Sequence, residues 1–187
     1  MKRNELRKAL RFPTLVALIG ALMMFLCVFL PYATATAEQQ AWIELNPDRS
    51  VFEEIDLTAA DMKELSLTKY AYVYATMSEE IWHDPNAGIL YAVLVGAVGI
   101  GALVAGLFAA DCYPLCSTIF GALSYGAFQL LNFDFSDRGV IPSDSYDWGL
   151  AHDLFPAATV ILVIGVVWMF VHKTILKLRR KQCYTNS

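Results

Sequence analysis

The chain has 187 residues, of which 57% are apolar and only 17% charged, and its mean hydropathy is +0.46. Soluble domains carry roughly 45–50% apolar and ~25% charged residues, and a chain this short cannot enclose such an apolar excess in one water-soluble core. Disorder is excluded too, because it requires low hydrophobicity; a lipid bilayer is the solvent and partner that the composition implies.

From the N-terminus, a basic tail over 1–12 leads into the first of four stretches able to span a hydrocarbon core of ~30 Å, which takes ~20 helical residues. They run over 13–37, 89–110, 114–133 and 154–172, with no acid or base between their ends except His172 at the last boundary. Each must be helical because lipid offers the backbone no hydrogen-bond partner. The first also reads like a secretory signal, with a basic head, an apolar run and the small-residue tail Ala33-Thr-Ala-Thr-Ala37. Its 17 uncharged residues from Thr14 to Leu30 exceed the ~7–15 of a removable signal, so a retained anchor is expected. The fold expected is an all-α membrane protein: a four-helix transmembrane bundle carrying a small external cap.

Charge orients the bundle. The tails 1–12 and 173–187 together with the turn 111–113 hold ten bases against two acids, a net +8. The long connections 38–88 and 134–153 hold four bases against sixteen acids, a net −12. Cytoplasmic flanks collect Lys and Arg, so both termini are expected inside and both acidic connections outside. The cluster Lys177–Lys181 directly follows a span and reads as an anchor to anionic lipid; no nucleic-acid partner is expected. Neither outside connection holds a cysteine or a glycosylation sequon, which suits a bacterial cell membrane. The motif Cys112-Tyr-Pro-Leu-Cys116 has one residue too many for a redox dithiol and faces the reducing side.

The turn at 111–113 makes the second and third spans antiparallel neighbours, with Pro114 opening the third. The second carries Ala92, Gly96, Gly99 and Gly106 in one stripe and Ala97, Gly101 and Ala105 beside it; the third answers with Ser117, Gly121 and Ser124. Small residues let helix backbones approach closely in lipid, so this hairpin is expected to be the packing core. The same residues could form a homo-oligomer face. Thr118, Ser124, Tyr125, Gln129 and Asn132 are the polar groups of the third span, and no ionisable group sits mid-span, which disfavours an ion-coupled transporter.

In the cap, Trp42–Leu45 and Val51–Ile55 flank the turn-like Asn46–Ser50 and predict a short β-hairpin. Thr58 and Asp61 predict a capped helix over 59–65, and Tyr70, Val73, Tyr74, Met77 and Ile81 recur at helical spacing. His83-Asp84 precedes the second span and His152-Asp153 the fourth, each with an upstream Trp and a downstream Pro. Two imidazoles and two carboxylates suit zinc if the two helix starts meet, making His83, Asp84, His152 and Asp153 the candidate metal ligands. Helix capping by the aspartates explains the same residues without a metal.

No phosphate loop, nucleophile elbow, metalloprotease helix or dinucleotide fingerprint occurs in a supporting context, so neither an enzyme nor a cofactor is expected. In outline, four spans with a first outside connection of about 50 residues look like claudin-type tetraspans, but the paired external cysteines of that group are missing. The expected role is a non-enzymatic accessory or scaffolding subunit whose acidic cap contacts a membrane or envelope protein. The alternatives are an oligomeric permeation unit for small molecules or cations and, third, a metal-dependent enzyme at the outer edge.

Overall fold

The computed structural model describes residues 10–51, 55–83 and 85–185, and at 81, 82, 85 and 179–185 only their backbone. The chain runs α1 (Arg11–Cys27), β1 (Pro31–Ala35), α2 (Ala37–Leu45), a 3-10 turn (Ala59–Met62), β2 (Glu64–Ser66), α3 (Leu67–Trp82), α4 (Pro85–Ala110), α5 (Pro114–Asp137), β3 (Tyr146–Trp148) and α6 (Leu150–Thr185). It is mostly helical, and three helical segments are long and apolar enough to cross a membrane: Asn86–Ala110, Pro114–Asp137 and Leu150–Leu178.

The first apolar stretch corrects the sequence reading. Helix α1 stops at Cys27 instead of continuing to 37, and the Ala/Thr tail is a strand. That strand is the centre of a three-stranded antiparallel sheet ordered β2-β1-β3, so the fold is not all-α. Ala33 pairs with Leu65 on one side and Trp148 on the other, and Thr34 with Glu64 and Asp147. Pro31, which has no N–H to donate, is tolerated as the strand's first residue. Gly149, where β3 turns into α6, donates its N–H to the Tyr32 carbonyl at 2.8 Å, and a Cβ there would lie 2.8 Å from the Pro31 carbonyl carbon.

The predicted hairpin is also corrected. Trp42–Leu45 belongs to α2, whose N-terminus is capped by the Thr36 hydroxyl accepting from the Gln39 N–H, and residues 52–54 lie outside the described set. The strand-like contact near this turn is a single bridge between Ser50 and Thr58. The helix expected over 59–65 is one 3-10 turn that gives way to β2, because Leu65 pairs with β1. Its cap is as expected: the Asp61 carboxylate accepts from the Thr58 N–H at 3.1 Å and from the Thr58 hydroxyl at 2.9 Å. Helix α3 starts with the Ser66 hydroxyl accepting from the Lys69 N–H, and buries Tyr70, Tyr74 and Met77.

In the bundle, α1 packs between α6 and α4, and α5 packs on α4 and, more sparsely, on α6. The most extensive contact joins the first and last helices, not the hairpin. There Gly20 faces Ala158 and Leu162, and Gly165 faces Ala17; a Cβ on Gly20 would sit 2.7 Å from the Leu162 Cα, and one on Gly165 2.7 Å from the Ala17 Cα. The two backbones touch with no side chain between them. The hairpin is closed by Gly101 against Ser124, whose hydroxyl donates to the Val98 carbonyl at 2.6 Å. The expected stripe is divided between two neighbours, since Gly99 and Gly106 face Phe25 and Ala21 of α1 and Val28 just after it. Gly96 and Gly126 face open space.

Candidate functional site

The groups with chemistry gather in two places, at the two ends of the bundle. At the end bearing the sheet, Tyr32 is fully buried at the centre of an aromatic layer. Its ring stands edge-on to Tyr70, Phe128 and Trp148 at 6.2, 5.9 and 5.5 Å between centroids, and Phe135 lies 5.8 Å away. The Tyr32 hydroxyl donates to Asn132 Oδ1 at 2.5 Å, so one residue of β1 ties the cap to α5 through a partly buried polar bond.

Beside this layer, α5 ends in an ion pair one helical turn apart, Arg138 to Asp134 at 2.5 Å. The Arg138 guanidinium donates to the Tyr74 hydroxyl at 3.2 Å and to the Tyr91 hydroxyl, which itself donates to Asp134. It also lies over the rings of Tyr74, Tyr91 and Phe135 at 5.4–5.8 Å, where the electron-rich face attracts a cation. Arg138 thus pins the cap helix α3 to α4 and α5. Burial raises the phenol pKa of Tyr70, Tyr74 and Tyr146 above the ordinary value, keeping all three neutral well into alkaline solution. Hydrogen bonds from Thr58 hold the Asp61 carboxyl below its ordinary value.

The sequence singled out His83, Asp84, His152 and Asp153. His83 closes α3 in a left-handed conformation (φ 53°) and is exposed. Asp84 lies outside the described residues. His152 stacks on Trp148 at 4.2 Å between centroids, and its Nδ1 lies 3.0 Å from Asp153 Oδ1. Thus His152 and Asp153 meet each other, and the expected upstream Trp148 is the ring that holds the imidazole. Among the described residues no group of three His, Cys, Asp or Glu side chains comes together as a metal would need.

At the opposite end, the Lys173 ammonium donates to the carbonyl of Cys112 and lies 5.6 Å from the Tyr113 ring. A base of the tail thereby satisfies the turn that ends α4, where free carbonyls carry partial negative charge. Cys112 turns the chain with φ 61°, and its thiol approaches the Thr14 hydroxyl at 3.9 Å; Cys27, Cys112 and Cys116 are all free thiols.

A third feature is the far lobe of the cap. One face of α2 buries Ile43, while Trp42 and Leu45 are 39% and 81% exposed, with Arg49 over the Trp42 ring at 5.7 Å. Glu38, Glu44 and Asp48 of the same segment are exposed, and Glu44 lies 3.9 Å from Lys63. The sequence reading placed Trp42 and Leu45 in a strand and so missed this face, although Trp42 and Leu45 three residues apart on an amphipathic stretch were the available signal. It also passed over Arg138, the lone base of its connection, four residues after an acid.

The chain matches no protein-family model, and comparisons with curated proteins and with solved structures found no relative.

Proposed function

We propose that this is a four-span protein of a bacterial cell membrane with both termini cytoplasmic, serving as a non-enzymatic accessory or scaffolding subunit that holds an acidic docking lobe outside the bilayer. For the span reading of α1, the support is its surface: Phe12, Leu15, Ile19, Leu22 and Leu26 form an apolar stripe that is 45–69% exposed. Water would expel such a stripe and lipid accepts it. The observation that carries the role is the face of α2, where Trp42 and Leu45 lie exposed on a segment rich in exposed acids, whereas Tyr32, Tyr70 and Tyr74 of the cap are spent on packing to the bundle. Trp is a residue type on which interface energy concentrates, and the lobe's negative field selects a partner with basic groups.

The permeation alternative gains little from the interior, whose buried polar side chains among the described residues are Ser78, Ser117 and Ser124. The docking reading is tested by co-purifying the full chain from its native membranes with and without Leu45→Asp. A stoichiometric membrane or envelope protein lost on substitution is the expected result; a chain that purifies alone at low salt, with lipid as its sole companion, refutes the role. Orientation is tested separately by placing a cysteine at Ser187 and another at Ser50 and labelling intact cells with an impermeant reagent, which should reach the second and not the first.

A further inference from the structure

We infer that the bundle lies tilted in the bilayer, with lipid covering α4 farther toward the sheet and α6 farther toward the opposite end. Contacts fix the relative heights of the helices. At the sheet end Phe128 stacks on Phe155 at 4.1 Å between centroids, and Tyr91 donates to Asp134. Asp153 therefore stands two residues above the Phe155 level, and Ile89 eight: six from Phe128 to Asp134 and two more from Tyr91. The difference is roughly 9 Å at 1.5 Å per residue. Yet the higher Ile89, Leu90 and Val93 are apolar and 57–62% exposed, whereas the lower Asp153 carries an exposed carboxylate.

The opposite end is shifted in the same sense. Gly121 faces Leu162; from that level α5 reaches its first residue, Pro114, in seven residues, while exposed apolar side chains continue along α6 for thirteen, to Ile175. The excess is again roughly 9 Å. Lys173 falls within this stretch, but its ammonium turns to the Cys112 carbonyl, toward the hairpin. From Ile89 to Ala110 and from Leu154 to Ile175 the rise is alike, roughly 31 Å, which matches a hydrocarbon core of ~30 Å. Two belts of one bilayer's thickness, staggered alike at both ends, describe a slope. With α1 packed between α4 and α6 and neighbouring axes about 8–10 Å apart, the slope is about 30°, inside the range of about 0–40° that spanning helices adopt. An upright bundle would leave the Ile89 face in water or sink Asp153 into hydrocarbon, where a carboxylate is costly. Lipid is the occupant of that face by continuity, since Leu107, Leu103, Ile100, Val93 and Ile89 form one exposed row along α4.

This inference rests on the membrane reading but not on orientation, since the belts slope whichever end faces the cytoplasm. The test uses the full chain in phosphatidylcholine nanodiscs, with Cys116→Ser and Cys183→Ser and the buried Cys27 and Cys112 left in place. A nitroxide is attached in turn to Leu90→Cys, Leu150→Cys and Ile175→Cys, all exposed positions where a label leaves the packing intact. Leu150 stands five residues above the Phe155 level and Leu90 seven, so an upright bundle would wet Leu90 at least as much as Leu150. In the tilted bundle oxygen should relax the labels at 90 and 175 several-fold more than a water-soluble nickel chelate does, and the chelate should dominate at 150. A wet label at 90 or at 175, or a lipid-immersed one at 150, overturns the tilt. So does a label at 90 that neither reagent reaches, because a protein would then cover that face. Three wet labels, or a chain that never enters nanodiscs, overturn the membrane reading as well, so the two failures are distinct.

Discussion

The α1–α6 seam and the α4–α5 hairpin are both built from small residues, yet they use them differently. Along the seam, Gly20 and Gly165 are filled by the opposite backbone, and neither tolerates a Cβ. In the hairpin, Gly101 meets Ser124 closely, but Gly96 and Gly126 meet nothing, leaving an open groove lined by Ala92, Ala97 and Ala122. A glycine is structurally required only where something occupies the volume its side chain would take. The hairpin can diverge because a three-residue turn and a hydrogen bond already hold it, whereas the first and last helices depend on their fit and one weak bond from the Thr14 hydroxyl to the Met169 sulfur at 3.4 Å.

Substitutions can break this contrast in graded steps. Gly165→Leu should destabilise by about 3 kcal/mol, the cost of overpacking against backbone that cannot yield, read as the unfolding midpoint in detergent. Ser124→Ala removes one interhelical hydrogen bond and should cost about 1 kcal/mol, as such bonds do in bilayers. Gly96→Ala and Gly126→Ala should raise stability by about 0.5–1 kcal/mol each, because a helix gains from losing a glycine that packs on nothing. A loss at either site would instead reveal a neighbour in the groove.

The cap sharpens the contrast through pH, since it is held by phenols and capping bonds. Tyr70, Tyr74 and Tyr146 have folded pKa values above the unfolded value of 10.0. The stability they confer is complete below pH 10 and drains away as pH rises past it, so near-ultraviolet dichroism of the cap should fade there. Asp61 is the reverse case, with a folded value below the ordinary 3.8; its small contribution is present above that pH and lost on acidification. Asp61→Asn should remove the acid dependence and cost about 0.5 kcal/mol.

Much of the architecture is legible in the residues. Charge-free apolar runs announced the helices over 89–110, 114–133 and 154–172, although α4 starts and α5 ends four residues beyond those bounds, and α6 runs from Leu150 to Thr185. A helix runs on through polar and aromatic flanks past the apolar run that marks it. The end of α1 was illegible because Tyr32–Ala35 suits a helix in lipid as well as a strand; only the distant β2 and β3 decide between them. The seam was hidden for a related reason, since Gly20 and Gly165 are solitary glycines in long apolar runs and form no repeat. Of the candidate site, the bond between His152 and Asp153 was visible as neighbours in sequence, while the cluster around Arg138 needed three helices to converge.

The central strand of the sheet begins four residues after the first helix, and its outer partner β3 comes just before the last. The first helix and the central strand therefore gain only part of their contacts early, from α4 and β2, and the rest from the end of the chain. During synthesis the β3 side of the strand and the Gly20 face of α1 stay uncovered until nearly the whole polypeptide has left the ribosome, so a truncated product would retain a bare strand edge and an unmatched glycine surface. Exposed apolar surface and unpaired strand edges of that kind aggregate, so docking of the final helix is the step that closes the hazard.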